Sequence, residues 1–419
     1  MSQIVINGGR KLEGEITVQG AKNSVLPILA GTILCRGECV IHNCPELSDV
    51  YTCLKILTRL GCKCLKDGNT VLVEAKDIAF YSIPEDLMRE MRSSVMFLGA
   101  IIGRMNKAVI SSPGGCELGP RPIDLHLSAL EKMGVTISEE HGFLNCEAKE
   151  GVKASEITLS FPSVGATENI ILAAATADGV TVIHNAAREP EISDLADFLN
   201  SAGARITGAG SDTVSIMGVK RLTGTEHTVI PDRIAAVTYM ACAAVTEGKI
   251  KLKGIMPSHM VSMLSVFREC GCDVDIVGKS LTVSSSGNLN RIPTIRSLTY
   301  PGFPTDAGPI IISMLTKARG TSVFVENIFE NRFRYIDELK RLGAKIKTEG
   351  KIAVIEGNCS LSGANCKATD LRGGAALVIA GLWANGITTI DEIHHIERGY
   401  DNIVNNLKEL NADICLKDW

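Results

Sequence analysis

Two hydrophobic rhythms alternate along the chain, and together they recur six times. The first is an apolar run rich in alanine and glycine followed by a β-branched alternating run, as in the segments starting at Ser24, Asn169, Arg233 and Gly373. Small residues let a helix pack closely in a buried position. An alternating run such as Val180-Thr181-Val182-Ile183 reads as a strand with one buried face. The second rhythm is a helix that closes on a glycine and passes into another alternating strand. Its six copies are Leu60-Gly61-Cys62, Met133-Gly134-Val135, Ala202-Gly203-Ala204, Cys270-Gly271-Cys272, Leu342-Gly343-Ala344 and Leu410-Asn411-Ala412. The landmarks lie 73, 69, 68, 72 and 68 residues apart. Glycine, or asparagine in the last copy, suits the left-handed residue that ends a helix.

A unit therefore reads helix, strand, helix, strand, with short hairpin elements between. A period of about 70 residues is too long for a thin solenoid, and the length of 419 residues is natural for two domains. The expected fold is α/β: a two-domain inside-out α/β barrel, three pseudo-repeats per domain, helices inside and sheets outside. One domain is expected over residues 22–230. The other takes residues 1–21 with residues 231–419, the N-terminal strand Ile4 to Ile6 and its hairpin completing it. Glu226 to Asp232 is the expected crossing between them.

Composition narrows the class. Hydrophobic residues make up 45% and charged residues 21%, as in a globular protein with a large core. The richest apolar stretches, Val95 to Ile102 and Ala375 to Ala384, fall well short of the roughly 20 residues a spanning helix needs. No apolar signal region follows a basic start, so a cytoplasmic location without membrane attachment is expected. A net charge of −4 argues against a nucleic-acid partner. The 14 cysteines form no C-x-x-C pair, which favours reduced thiols over disulfides or structural zinc.

The units differ most where their first helices begin: at Lys22-Asn23, Arg92, Ser163-Val164-Gly165, Asp232-Arg233, Thr305-Asp306 and Leu371-Arg372. Helix N-termini attract anions, and adding Lys22, Arg92 and Arg372 makes a pocket for a strongly negative ligand. Solvated surface charge is the competing reading for each. The stretch Ser111 to Asp124 surrounds one cysteine, Cys116, with three glycines and three prolines, which suits an exposed loop better than core. A thiol there is a candidate general acid, with an ordinary pKa near ~8.5 that neighbouring arginines lower and an arriving anion raises. A buried thiol is the alternative. Pro301 to Asp306 is a rigid turn that aims a carboxylate, with helix capping by Thr305 or Asp306 as the alternative. Arg332 and Arg398 offer bidentate capture of carboxylate or phosphate.

These segments carry a resemblance. PGGCELGPRPIDLH at 113–126, GAKN at 20–23, FPSVGATEN at 161–169, AAREPEI at 186–192, PGFPTD at 301–306, ENIFENRF at 326–333, ATDLR at 368–372 and ERGYD at 397–401 closely resemble the UDP-N-acetylglucosamine 1-carboxyvinyltransferase family, in order and from end to end. The resemblance implies transfer of the enolpyruvyl group of phosphoenolpyruvate to the sugar 3-hydroxyl, with phosphate leaving a tetrahedral intermediate. This is the first committed step of peptidoglycan synthesis. It implies that Cys116 donates a proton, is open to a covalent adduct and is the target of the epoxide fosfomycin. It implies that Asp306 accepts the hydroxyl proton, with Lys22 as a third catalytic group. For phosphoenolpyruvate it implies Lys22, Asn23, Arg121, Arg332, Arg372 and Arg398. For the UDP-sugar it implies Asn23, Arg92, Arg121, Pro122, Ile123, Asp124, Leu125, Ser163, Val164, Gly165, Asp306 and Ile328. It implies no metal or organic cofactor, and a monomer is expected. Two departures stand out: Ser48 replaces a lysine present in some members, and Gly308 replaces a common glutamine, a change expected to loosen its turn or a neighbouring contact. His126, His394 and His395 are read as loop polar groups, His126 beside the Cys116 loop. The related 5-enolpyruvylshikimate-3-phosphate synthases, which share the fold, are the nearest rival; their N-A-G-T-x-x-R signature is missing.

Overall fold

The structure is a computed structural model that describes residues 2–111 and 123–418. Its repeating unit is clearest in the third copy. A short strand Glu156–Thr158 leads to helix Val164–Ala174, strand Val180–His184, helix Pro190–Ser201, and strands Arg205–Thr207 and Thr213–Met217. Val180–His184 pairs parallel with the first strand and antiparallel with the last. The opening three-residue strand is absent from the sequence-based unit, because three residues are too few to display an alternation.

The two helices of a unit differ for reasons written in their residues. Helix Arg233–Val245, RIAAVTYMACAAV, buries all 13 of its residues; a helix apolar on every side belongs inside a core. Helix Ser48–Leu60 instead buries Val50, Cys53, Ile56, Leu57 and Leu60, one stripe at helical spacing. It stops at Gly61, whose φ of 106° is left-handed. The other five landmarks also have positive φ: Gly134, Gly203, Gly271, Gly343 and Asn411. The six-fold rhythm of the sequence is the fold.

By contacts the described residues separate into two compact units, residues 20–111 with 123–230, and residues 2–19 with 231–418. In the first, the buried helices Lys22–Gly31, Phe97–Met105 and Val164–Ala174 form the centre of one core. Gly99 is required there: a Cβ would lie 2.3 Å from the Asn169 carbonyl oxygen. In the second unit, helices Arg233–Val245, Gly308–Leu315 and Leu371–Trp383 pack on one another, and Ser313 Oγ donates to Ala376 O at 2.7 Å across the contact. Three sheets surround each trio.

Two expectations about connections are corrected. Residues 226–232 are not merely a crossing: strand Glu226–Thr228 pairs parallel with Glu38–His42 and completes the first sheet of its own unit. The N-terminal segment is not a hairpin. Strand Ser2–Asn7 lies between Ile387–Asp391 and Asp413–Asp418, whereas Glu13–Thr17 pairs with Lys249–Lys253 in another sheet. Gly8 packs so closely on the backbone of Ala384 that a Cβ would sit 2.2 Å from its oxygen, and the chain is led away between the two strands. Among the described residues no helix is long and apolar enough to cross a membrane.

Candidate active site

The candidates fall into two sets, one in each unit. In the unit containing residues 231–418, the turn that carries Asp306 is held by Leu298 N donating to Phe303 O and Gly302 N donating to Thr299 O, both at 2.9 Å. Phe303 packs edge-on against Phe324. A 3-10 turn Thr305–Ala307 then leads into helix Gly308–Leu315, and neither Thr305 nor Asp306 caps it. The capping alternative is set aside.

Instead the Asp306 carboxylate lies between two guanidinium groups. Arg332 Nη2 is 3.0 Å from Oδ1 and Arg372 Nε is 3.3 Å from Oδ2. The arginine side chains are 3% and 2% exposed and that of Asp306 is 28% exposed, so the carboxylate alone has a face toward solvent. Arg332 also donates to Thr305 O at 3.4 Å. Arg372 enters on the first turn of helix Leu371–Trp383, whose cap Asp370 accepts from the N–H groups of Arg372 and Gly373. Its guanidinium lies 5.3 Å from the centre of the Tyr400 ring, and the Tyr400 hydroxyl shares a 2.8 Å hydrogen bond with Thr238. Burial disfavours the Arg372 charge, but Tyr400, Asp306 and Asp232 outweigh it and hold the pKa above the ordinary arginine value. Arg332 Nε and Arg372 Nη1 are buried and make no hydrogen bond. Each unpaired buried donor costs about 1–3 kcal/mol, a cost that an anion reaching them would remove. Arg398 is half-buried at the end of helix His394–Glu397, two residues before Tyr400. Ile328 is half-buried, its N–H donating to Glu326.

The second set sits at helix starts in the unit of residues 20–230. Lys22 opens helix Lys22–Gly31 and pairs with Asp49 at 2.8 Å, the two side chains 10% and 3% exposed. Asn23 beside it is exposed. Asp49 lies in the first turn of helix Ser48–Leu60, where a negative charge is favoured. Arg92 opens a 3-10 turn ahead of helix Phe97–Met105. Ser163 caps helix Val164–Ala174 by accepting from Ala166 N at 3.3 Å. Gly165 faces His126, to which a Cβ would approach within 3.0 Å, so helix Asp124–Lys132, which Ile123, Asp124 and Leu125 begin, packs on helix Val164–Ala174. Cys116, Arg121 and Pro122 lie outside the described residues.

His126 is corrected from loop group to core: it is buried in a helix and hydrogen-bonded to Asn169 at 2.7 Å, while Asn169 also accepts from Gly99 N. His394 and His395 belong to the short helix His394–Glu397, their rings 4.1 Å apart. At Gly308 a Cβ would lie 2.8 Å from the buried Phe324 ring. Sequence reasoning missed Asp49 and Tyr400; both are ordinary in their local sequence, and only pairing reveals them.

Comparison with known proteins extends this geometry. The family model described as EPSP synthase (3-phosphoshikimate 1-carboxyvinyltransferase) matches residues 6–407. UDP-N-acetylglucosamine 1-carboxyvinyltransferase 2 of Caldanaerobacter subterraneus subsp. tengcongensis is 51% identical over 414 residues, 99% of each chain. UDP-N-acetylglucosamine 1-carboxyvinyltransferase 1 of Symbiobacterium thermophilum is 46% identical over 415 residues, 98% of this chain and 94% of its own. The crystal structure of the enolpyruvyl transferase NikO from Streptomyces tendae superposes with a TM-score of 0.90 at 24% identity over 99% of each chain, a likeness of fold. With identity of this level spread across nearly every residue, the chain belongs to the UDP-N-acetylglucosamine 1-carboxyvinyltransferase family, within the broader group that the EPSP synthase model describes.

Proposed function

We propose that the chain transfers the enolpyruvyl group of phosphoenolpyruvate to the 3-hydroxyl of UDP-N-acetylglucosamine, releasing phosphate and committing the sugar to peptidoglycan. The observation that carries this reading is the 51% identity, over 99% of both chains, to a relative named for that activity. The carboxylate flanked by two buried arginines fits its chemistry. Asp306 takes the hydroxyl proton as the sugar oxygen attacks the central carbon. Cys116 delivers a proton to the methylene carbon. Phosphate then leaves from the tetrahedral intermediate toward Lys22, Arg121 and Arg398 as the new methyl group gives up a proton, which restores the carbon–carbon double bond. The unpaired donors of Arg332 and Arg372 are suited to the substrate carboxylate, each charge-assisted bond being worth about 1.5–3 kcal/mol. Asn23, Asp124, Ser163 and Ile328 are assigned to the UDP-sugar. Positioned acid and base groups contribute ~10²–10⁴ each, and orientation within a cationic site supplies much of the rest. The enzyme acts as a monomer in the cytoplasm.

Phosphate release tests this directly. Mixing the chain with phosphoenolpyruvate and UDP-N-acetylglucosamine is expected to liberate phosphate, whereas shikimate 3-phosphate as acceptor is expected to yield none. Turnover with shikimate 3-phosphate alone would transfer the chain to the rival activity.

A further inference from the structure

We infer that Glu326 is a positioning residue for the Asp306 carboxylate, an inference that rests on the transfer reaction proposed above. Glu326 follows strand Thr321–Val325 and is 1% exposed. Among the described residues no cation pairs with it. A buried carboxylate without a counter-ion persists only when donors fill its lone pairs, and here four do. Oε1 accepts from Ser297 Oγ at 2.7 Å, Ile328 N at 2.7 Å and Phe329 N at 3.2 Å. Oε2 accepts from Thr305 Oγ1 at 2.8 Å. Ser297 Oγ in turn accepts from Asn327 N at 2.8 Å.

One carboxylate thus ties its own following loop to two earlier segments, 29 and 21 residues back. The three are the end of strand Thr294–Arg296, the turn carrying Thr305 and Asp306, and the loop 327–329 that leads to Arg332. Asp306 and Arg332, which meet at 3.0 Å, both hang from this anchor: one follows Thr305 directly, the other follows Phe329 by three residues. Charge-assisted bonds are short and strongly directional. Glu326 therefore sets where the Asp306 oxygens stand relative to the sugar hydroxyl, and it acts through Thr305 without touching the reacting atoms.

A double-mutant cycle in the phosphate-release assay tests this, with the wild-type chain as reference. Thr305→Val removes the one bond from the turn to Glu326 at nearly constant volume. Glu326→Gln keeps the shape and removes the charge. Each is expected to lower kcat about tenfold, since small misplacements of a reacting group are costly. For Thr305→Val, KM for phosphoenolpyruvate stays within about twofold, because the loop leading to Arg332 keeps its bonds to Glu326. Thr305→Ser, which restores the hydroxyl, is expected to restore kcat. If both residues act along one path, the double variant is no slower than the slower single variant. Wild-type kcat in either single variant, multiplicative losses in the double variant, or a loss that serine does not rescue would overturn the inference. A wild-type chain that releases no phosphate overturns the proposed reaction itself, and the two failures are thereby distinguished.

Discussion

At the scale of single residues, reactivity here is decided by what surrounds each group. Burial pushes the thiols of Cys62, Cys270, Cys272 and Cys366 up to about 12 and that of Cys146 to about 11. These groups stay protonated at neutral pH and are weak nucleophiles. Fosfomycin is expected to leave these five thiols unmodified and to add at Cys116, and Cys116→Ser to abolish that adduct; intact-mass and peptide mass spectrometry read the site. An adduct on a buried thiol would contradict the assignment. Asp306 follows the same logic: its sequence context allowed a helix cap, and the two guanidinium groups that claim it come from residues 26 and 66 positions away.

At the scale of elements, helix starts were legible because caps have a chemistry. The starts at Lys22, Val164, Arg233 and Leu371 lie at or beside the positions read from sequence, and Ser163, Asp232 and Asp370 cap three of them with side-chain oxygens. The starts at Arg92 and Thr305 were displaced because a 3-10 turn precedes the helix, a shift of each hydrogen bond by one residue that residue types do not signal. Inner helices also hide groups whose cost is visible only in pH dependence. Glu168 lies fully inside helix Val164–Ala174, and burial, reinforced by Glu191 and Glu189, pushes its pKa well above the ordinary carboxyl value. A carboxyl raised on folding is at no disadvantage below its unfolded pKa, and it loses stability as pH climbs toward the folded value. Glu168→Gln is thus expected to melt higher than the parent at pH 7–8, with the gap closing near pH ~4.3, the ordinary glutamate value; thermal melts across that range measure it. A constant gap at every pH would show that Glu168 is not the source.

For the whole molecule, the N-terminus is a structural part rather than a tail. Strand Ser2–Asn7 is a central strand of its sheet, and Ile4 and Ile6 are buried in the core of residues 231–418. Each such side chain contributes roughly 1.5–3 kcal/mol on burial, against a total stability of about 5–15 kcal/mol for a typical domain. Deleting residues 2–7 is expected to lower the melting temperature sharply or leave the chain insoluble, although the deletion removes none of the residues assigned to chemistry. Circular dichroism melts decide between this and a dispensable tail.

What the sequence determined by itself was the period: six repeats, the glycine or asparagine that ends a helix in each, and their buried small-residue helices. These properties are local, since capping, left-handed φ and amphipathic spacing depend on residues a few positions apart. Tertiary structure alone decided the partners. It paired Lys22 with Asp49, set Asp306 between Arg332 and Arg372, turned His126 into a core residue and divided the first 17 residues between two sheets. An ion pair or a strand neighbour is a meeting of segments separated by tens to hundreds of residues, and no short-range pattern encodes which of several equivalent segments arrives.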